Sequence, residues 1–215
     1  MRDKLAPHVM SKALVLAGLP GSGKSVASDI AKAIGIPVVT MGDVIRAETR
    51  TRGLEATSKN IGMVAEDLRA KFGEDIVLRK SWPSISEALE NHPLIIIDGM
   101  RSLAEEEALI ELMGKPPMIL AVIASEEVRN TRLIERKRSD DIVFTKSTGE
   151  KLFIEIKHGE KSPQHDAISE RDTRERAWGV ETLLNRADFR IENEDSIDSF
   201  RTTVKALLEG LNCID

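Results

Sequence analysis

Eight consecutive residues, Gly18-Leu19-Pro20-Gly21-Ser22-Gly23-Lys24-Ser25, fit the spacing G-x-x-x-x-G-K-[ST]. One chemistry needs those types at those distances. Glycines let successive backbone N–H groups turn towards a single anion, and a helix starting at the end of the run adds its positive N-terminus. The Lys24 amine can then reach β- and γ-phosphates, and the Ser25 hydroxyl can ligate Mg2+. Gly18, Pro20, Gly21, Ser22, Gly23, Lys24, Ser25 and Val26 are therefore the expected cradle for the polyphosphate of ATP. A merely flexible glycine loop would not be expected to carry Lys and Ser at these positions.

Three further groups carry charge that phosphate chemistry could use. Asp98 closes the apolar run Leu94-Ile95-Ile96-Ile97 and precedes Gly99. A carboxylate at the end of a buried strand lies on the sheet edge where nucleotides bind, and there it can hold Mg2+. A turn Asp before Gly would give the same letters. Asp43 and Arg46 follow a short run ending at Thr40, and their spacing puts them on one helix face. An arginine presented there is a fork for a second phosphate, or half of a surface ion pair. Finally, Arg129, Arg132, Arg136, Lys137 and Arg138 face only Glu135 within residues 129–138, a local net of +4. Arg171 and Arg174 repeat the three-residue spacing, here interleaved with Glu170, Asp172 and Glu175. Converging arginines suit the negative charge that phosphoryl transfer spreads over oxygens; a solvated helix face is the plainer reading.

The rest of the composition mostly excludes. The chain of 215 residues is 41% hydrophobic and 31% charged, which suits one compact domain with room for small insertions. Its net charge of −5 and 3% aromatics argue against a nucleic-acid-coating or base-stacking surface. A single cysteine, Cys213, excludes an intrachain disulfide framework and a Cys-rich zinc site. His8, His92, His158 and His165 are scattered, and Trp82 and Trp178 read as packing residues. Apolar runs fall far short of the roughly 20 residues of a membrane span, and Met1–Val9 lacks a signal-peptide core. A cytoplasmic location without membrane contact is the expectation.

The elements that must position these groups follow from periodicity. Ala13–Ala17 is a short buried strand leading into the glycine run, and Lys24–Ile34 has helical period with Gly35 as its stop. Ile36–Thr40 is a second strand, so the chain opens as a βαβ unit with parallel strands. Residues 41–92 read as a helical insertion. Its best helix spans Ser58–Phe72, and after a break at Pro83 a short one is capped by Ser84-x-x-Glu87. Leu94–Ile97, Met118–Ala124 and Phe189–Ile191 complete five strands. Helices are expected from Ser102 to Gly114, from Ser125 to about Arg138, from about Ala167 to Asn185 and over Ser196–Leu211. In the last, Ile197, Phe200, Val204, Leu207 and Leu211 should face inward. Residues 139–166 alternate around Ser147-Thr148-Gly149-Glu150 and predict a β-hairpin insertion. The expected fold is thus α/β, a three-layer αβα sandwich around a five-stranded parallel sheet. It is a single domain over 1–215, with core segments 9–40, 93–138 and 167–215.

On these residues the chain resembles nucleoside-monophosphate kinase-type P-loop proteins. It is most similar to a small archaeal family that is adenylate-kinase-like and related to dephospho-coenzyme-A kinases. The stretches that carry this are LVLAGLPGSGKS, VVTMGDVIRAE, IIIDGMRS, TRLIERKR and SERDTRERAWGVETLLNRADFRIENE, across most of residues 12–195. The resemblance implies a mobile monophosphate-binding region at 41–92 and a mobile lid at 139–166. It implies Thr40 and Arg46 at the acceptor nucleotide, Arg46 and Arg101 on its phosphate, and Asp43 orienting that region. Asp98 would hold the Mg2+ shell with Ser25. Arg132 and Arg136 would sit at the donor ATP, while Arg171 and Arg174 would bridge the transferring phosphoryl. Lys24, Arg132, Arg171 and Arg174 would be the catalytic charges. Two departures stand out: the lid lacks the cysteines of zinc-lidded adenylate kinases, and residues 142–166 exceed the usual connection.

The activity expected is Mg-ATP-dependent phosphorylation of a nucleoside monophosphate by a monomer or homodimer, with nucleotides as the partners. A small-molecule kinase acting on dephospho-coenzyme A shares every ATP-side motif. A nucleotide-dependent switch or slow ATPase with a protein or RNA partner is the alternative of a different class, since residues 129–176 carry 12 basic and 10 acidic residues.

Overall fold

The structure is a computed structural model that describes residues 11–136 and 163–213. In chain order the elements are β1 (Lys12–Ala17), α1 (Lys24–Ala33), β2 (Val38–Thr40), α2 (Gly42–Thr51), α3 (Ser58–Phe72), α4 (Ile76–Asn91) and β3 (Leu94–Asp98). They continue as α5 (Leu103–Met113), β4 (Met118–Ile123), α6 (Glu126–Arg136), α7 (Pro163–Ala177), α8 (Val180–Asn185), β5 (Phe189–Glu192) and α9 (Ile197–Cys213).

Alternation along the strands builds the layers. Ala13, Val15 and Ala17 of β1 and Ile95 and Ile97 of β3 point into one core, shared with α2, α3, α4, α5 and α8. Leu14 and Leu16 of β1 and Leu94 and Ile96 of β3 point into the other, shared with α1 and α9. Strands buried on both faces read as the continuous apolar runs seen in the sequence. The five strands are all parallel in the order β2-β3-β1-β4-β5. β1 is central, and the chain later adds β3 on one side of it and β4 on the other. The crevice beyond its carboxyl end is therefore the topological switch point, where ligands of open α/β sheets bind. Among the described residues no helix is long and apolar enough to cross a membrane.

Several boundaries differ from the sequence reading. Pro83 does not break the chain: α4 runs through it, with Val77, Leu78, Ser81 and Ile85 buried on one face. Pro83 itself is exposed, and the buried apolar face of the helix outweighs the backbone hydrogen bond that a proline cannot donate. The Ser84-x-x-Glu87 box therefore caps nothing. Ser102, by contrast, makes a full capping box with Glu105 at the start of α5, and Gly114 ends that helix in the left-handed conformation. α7 begins at Pro163, four residues before the expected Ala167, with Pro at the first helical position. The expected single helix to Asn185 is interrupted at Gly179. In α9, Ile197 is 43% exposed at the cleft mouth, and Leu208 faces inward with Phe200, Val204 and Leu211. The predicted hairpin at 139–166 falls almost wholly outside the described residues.

Candidate functional site

The glycine run leaves β1 and enters α1 at the centre of the sheet edge. Gly21 (φ 82°) and Gly23 (φ 118°) hold left-handed conformations that an L side chain resists. Space forbids a side chain as well. A Cβ on Gly21 would lie 2.7 Å from the Arg129 carbonyl oxygen, and one on Gly23 would strike Asn193 Nδ2 and crowd Phe200 at 3.2 Å. Two distant residues fix the loop from outside. Asn193, buried after β5, donates from Nδ2 to the Ser22 carbonyl at 2.8 Å. Arg129 of α6 donates from Nη1 to the Pro20 carbonyl at 3.0 Å and pairs through Nη2 with Asp172 of α7 at 2.6 Å. Lys24 Nζ lies back over the loop and donates to the carbonyls of Gly18 and Leu19, the latter at 3.1 Å.

The second end of the site is built by strand register. Thr40 of β2 and Leu16 of β1 are both paired with Asp98 of β3, which places the three strand ends side by side. Met41 N–H donates to the Asp98 carbonyl at 2.8 Å and starts α2 there. On α2, Arg46 is held by Asp43 at 2.8 Å. Arg101 follows β3. Its backbone N–H donates to Glu105 Oε2 at 2.7 Å, and its Nη1 donates to the Gly99 carbonyl at 2.7 Å. Glu105, fully buried, also takes Arg69 of α3 at 3.0 Å, so the capping box of α5 indirectly orients Arg101.

Between the two ends lies a cleft of about 740 Å3, inside the range of about 300–1,000 Å3 typical of small-molecule sites. Pro20, Gly21, Gly23, Lys24, Ser25 and Val26 line it from the loop side; Thr40, Asp43, Arg46, Asp98 and Arg101 line it from the other. Arg132 of α6 and Arg171 of α7 complete it. Gly18 and Ser22 lie outside its lining, and Ser22 is buried with its carbonyl bound to Asn193. Arg174 is placed elsewhere. Its guanidinium packs against Gly62 of α3, 5.6 Å from the Trp178 ring centre, and lines a smaller cavity behind the cleft. The Arg136 side chain lies outside the described residues.

Charge in the cleft is concentrated and strained by burial. Desolvation brings the Lys24 amine down to about 8, against the pull of Asp98 and Glu175. Burial alone would raise Glu175, yet the charges of Arg101, Arg171 and Lys24 outweigh it and hold the carboxyl at about 2. Arg101 is penalised by burial too, but Glu175, Glu105 and Asp98 raise it overall. Arg174 is lowered, by burial first and by Arg171. Arg101 Nε stands 3.4 Å from Glu175 Oε1, and Arg132 Nη1 is a buried donor without a hydrogen-bond acceptor. A donor left this way in a cleft fits an anion. For a cation the fit is partial. Ser25 and Asp98 are hard oxygen donors lining one cleft, but no cluster of three or more His, Cys, Asp or Glu able to hold a metal exists among the described residues. Mg2+ there would need phosphate oxygens and water to complete its shell, as it usually does.

Three residues that hold the site together carried little signal in the sequence. Asn193 ends Phe189–Asn193, which resembles the strand and loop near the donor base in dephospho-coenzyme-A kinases, but nothing in the sequence ties it to the glycine loop. Glu175 reads as one acid on a mixed-charge face, although its i, i+4 relation to Arg171 is a usable hint. Arg129 was counted with the phosphate-facing stripe, and the structure turns it inward, 2% exposed, onto Pro20 and Asp172.

Residues 17–145 match the family model of an AAA domain. The chain is 40% identical over 194 residues to a UPF0200 protein of Methanothrix thermoacetophila, covering 90% of this chain and 94% of that one. It is 37% identical over 201 residues to a UPF0200 protein of Methanosarcina acetivorans, covering 94% and 96%. A UPF0200/UPF0201 protein of Archaeoglobus fulgidus is 38% identical over 197 residues, and there the match spans 92% of this chain but only 55% of the relative's length. Among solved structures, TT1252 from Thermus thermophilus shares the fold with a TM-score of 0.55 at 20% identity, covering 94% of this chain and 99% of that one.

Proposed function

The chain belongs to the UPF0200 family and has a P-loop kinase-like AAA domain, and from that premise we propose that it transfers the γ-phosphoryl of Mg-ATP to a nucleoside monophosphate. The observation that carries this reading is a single cleft lined at each end by groups suited to phosphate. One end is the glycine loop with Lys24 and Ser25; the other is Thr40, Arg46 and Arg101. A plain nucleotide hydrolase or switch has no use for the second end.

In this reading the loop N–H groups and Lys24 hold the β- and γ-phosphates, and Arg46 and Arg101 hold the acceptor phosphate in line with them. An acceptor phosphate oxygen attacks the γ-phosphorus as the bond to the β,γ-bridging oxygen breaks, and ADP leaves. No covalent enzyme intermediate forms. Arg132 and Arg171 lie where charge on the transferring group needs cations. Ser25 and Asp98 would hold Mg2+, which supplies neutralisation of the β- and γ-oxygens. Positioning within one water-poor cleft is worth more here than any acid–base group.

The test is incubation of the protein with Mg-ATP and a panel of nucleoside monophosphates, with dephospho-coenzyme A included. A diphosphate product from at least one monophosphate is expected. Inert monophosphates with phosphorylated dephospho-coenzyme A would replace this reading by its neighbour, and no acceptor product at all would overturn it.

A further inference from the structure

Glu175 has no part in binding or transferring a phosphate, yet it sits at the electrostatic centre of the cleft. It is 3% exposed. Arg171 Nε donates to its Oε1 at 3.3 Å, and Arg101 Nε stands 3.4 Å from the same oxygen. Lys24, on the opposite wall, also acts on it. The other groups that face this region are Asp98 at the end of β3 and Arg174 on α7. Lys24 belongs to the donor end, Arg101 to the acceptor end and Arg171 to the helix between them. One carboxylate thus meets a cation from each part of the proposed reaction: the donor phosphates, the acceptor phosphate and the transferring group.

We propose that Glu175 is a resident counter-ion that stands in for substrate phosphate, positioning Arg101 and Arg171 until a phosphate takes them over. The inference deepens the phosphoryl-transfer reading and rests on its use of this cleft. Three half-buried cations facing one cleft without an anion would repel one another and turn outward. With Glu175 present they are preset, at the cost of competition: each incoming phosphate must displace a carboxylate. Glu175 is therefore a positioning residue that weakens ground-state anion binding while keeping the cations aimed.

The test is binding of inorganic tripolyphosphate at low salt, measured by calorimetry on the whole chain. It needs no acceptor, so it separates this inference from failure of the kinase reading. Glu175→Gln keeps the shape and removes the charge; its Kd should fall about tenfold, with a steeper salt dependence. Glu175→Asp keeps the charge and should stay within about twofold of the parent. In the transfer assay Glu175→Gln should lower both KM for ATP and kcat. A folded Glu175→Gln variant with unchanged or weaker tripolyphosphate binding would overturn the proposal, as would a loss of kcat at unchanged KM. Should that variant not fold, carbon NMR of the Glu175 carboxyl in the parent protein decides. Saturating tripolyphosphate at neutral pH should shift its resonance as the arginines leave it, and a resonance that stays in place overturns the proposal.

Discussion

Lys24 gives a prediction that can be worked to a number. Its amine is brought down to about 8, because burial disfavours the cation more than Asp98 and Glu175 favour it. A polyphosphate laid against the amine reverses that balance and returns it towards or above its ordinary value of about 10.4. The sign follows: the bound state holds more protons, so binding takes up protons and apparent affinity falls as pH rises. With a free-state value of about 8, the neutral fraction is about 0.1 at pH 7 and about 0.75 at pH 8.5, and uptake per nucleotide should match. The same arithmetic makes the apparent Kd at pH 9 about tenfold weaker than at pH 7. The assay is calorimetry of ATP binding at pH 8.5 in buffers of different ionisation enthalpy, where the ATP phosphates are already ionised. Lys24→Arg is the control, since a guanidinium stays charged throughout and its uptake should vanish. Proton release, or no uptake in the parent at pH 8.5, would refute the claim that burial holds this amine near neutrality.

Further expectations rest on other parts of the site. Arg46→Ala should remove phosphoryl transfer while leaving ATP affinity within about twofold, whereas Lys24→Ala should weaken both; paired binding and turnover measurements separate them. Arg129→Met strands a buried Asp172 carboxylate and frees the Pro20 carbonyl, so chemical unfolding should show a loss of about 3–5 kcal/mol. Gly23→Ala adds a methyl where Asn193 and Phe200 already stand, at a positive φ. It should cost ATP binding at least tenfold, with a melting temperature lowered by several degrees.

What the sequence disclosed and what it hid divide along a physical line. The five strands, the loop, Asp98, Arg46 and the Ser102 capping box are local: each is set by a period, a cap or a spacing within about ten residues. The structure accordingly has them where the pattern places them. Pro83 misled because a local rule met a tertiary one, and the buried face of α4 won. Arg129 and Arg132 are three apart on α6 with the same side chain, yet one is buried under the loop and the other lines the cleft. Helical spacing sets which stripe a residue joins, not which of two neighbouring targets it meets. Asn193 acts through Ser22, far along the chain, and Glu175 reaches the distant Arg101 as well as Arg171 one turn away, so only the Arg171 pairing could be read locally.

The pairing of charges resolves how a chain of net −5 can offer an anion site. At the acceptor end and behind it, the cations have resident acids: Arg46 with Asp43, Arg101 and Arg171 with Glu175, Arg69 with Glu105. At the donor end the loop offers backbone donors, and Lys24 rests on the neutral carbonyls of Gly18 and Leu19. In the proposed reaction, a phosphate arriving at the loop displaces mainly neutral dipoles and competes with Glu175 only through the cations they share, while one arriving at the acceptor end must displace carboxylates directly. Exchange against a carboxylate recovers little net energy, because the lost ion pair offsets the new one. The two ends should therefore differ in affinity, with ATP held more tightly than the acceptor.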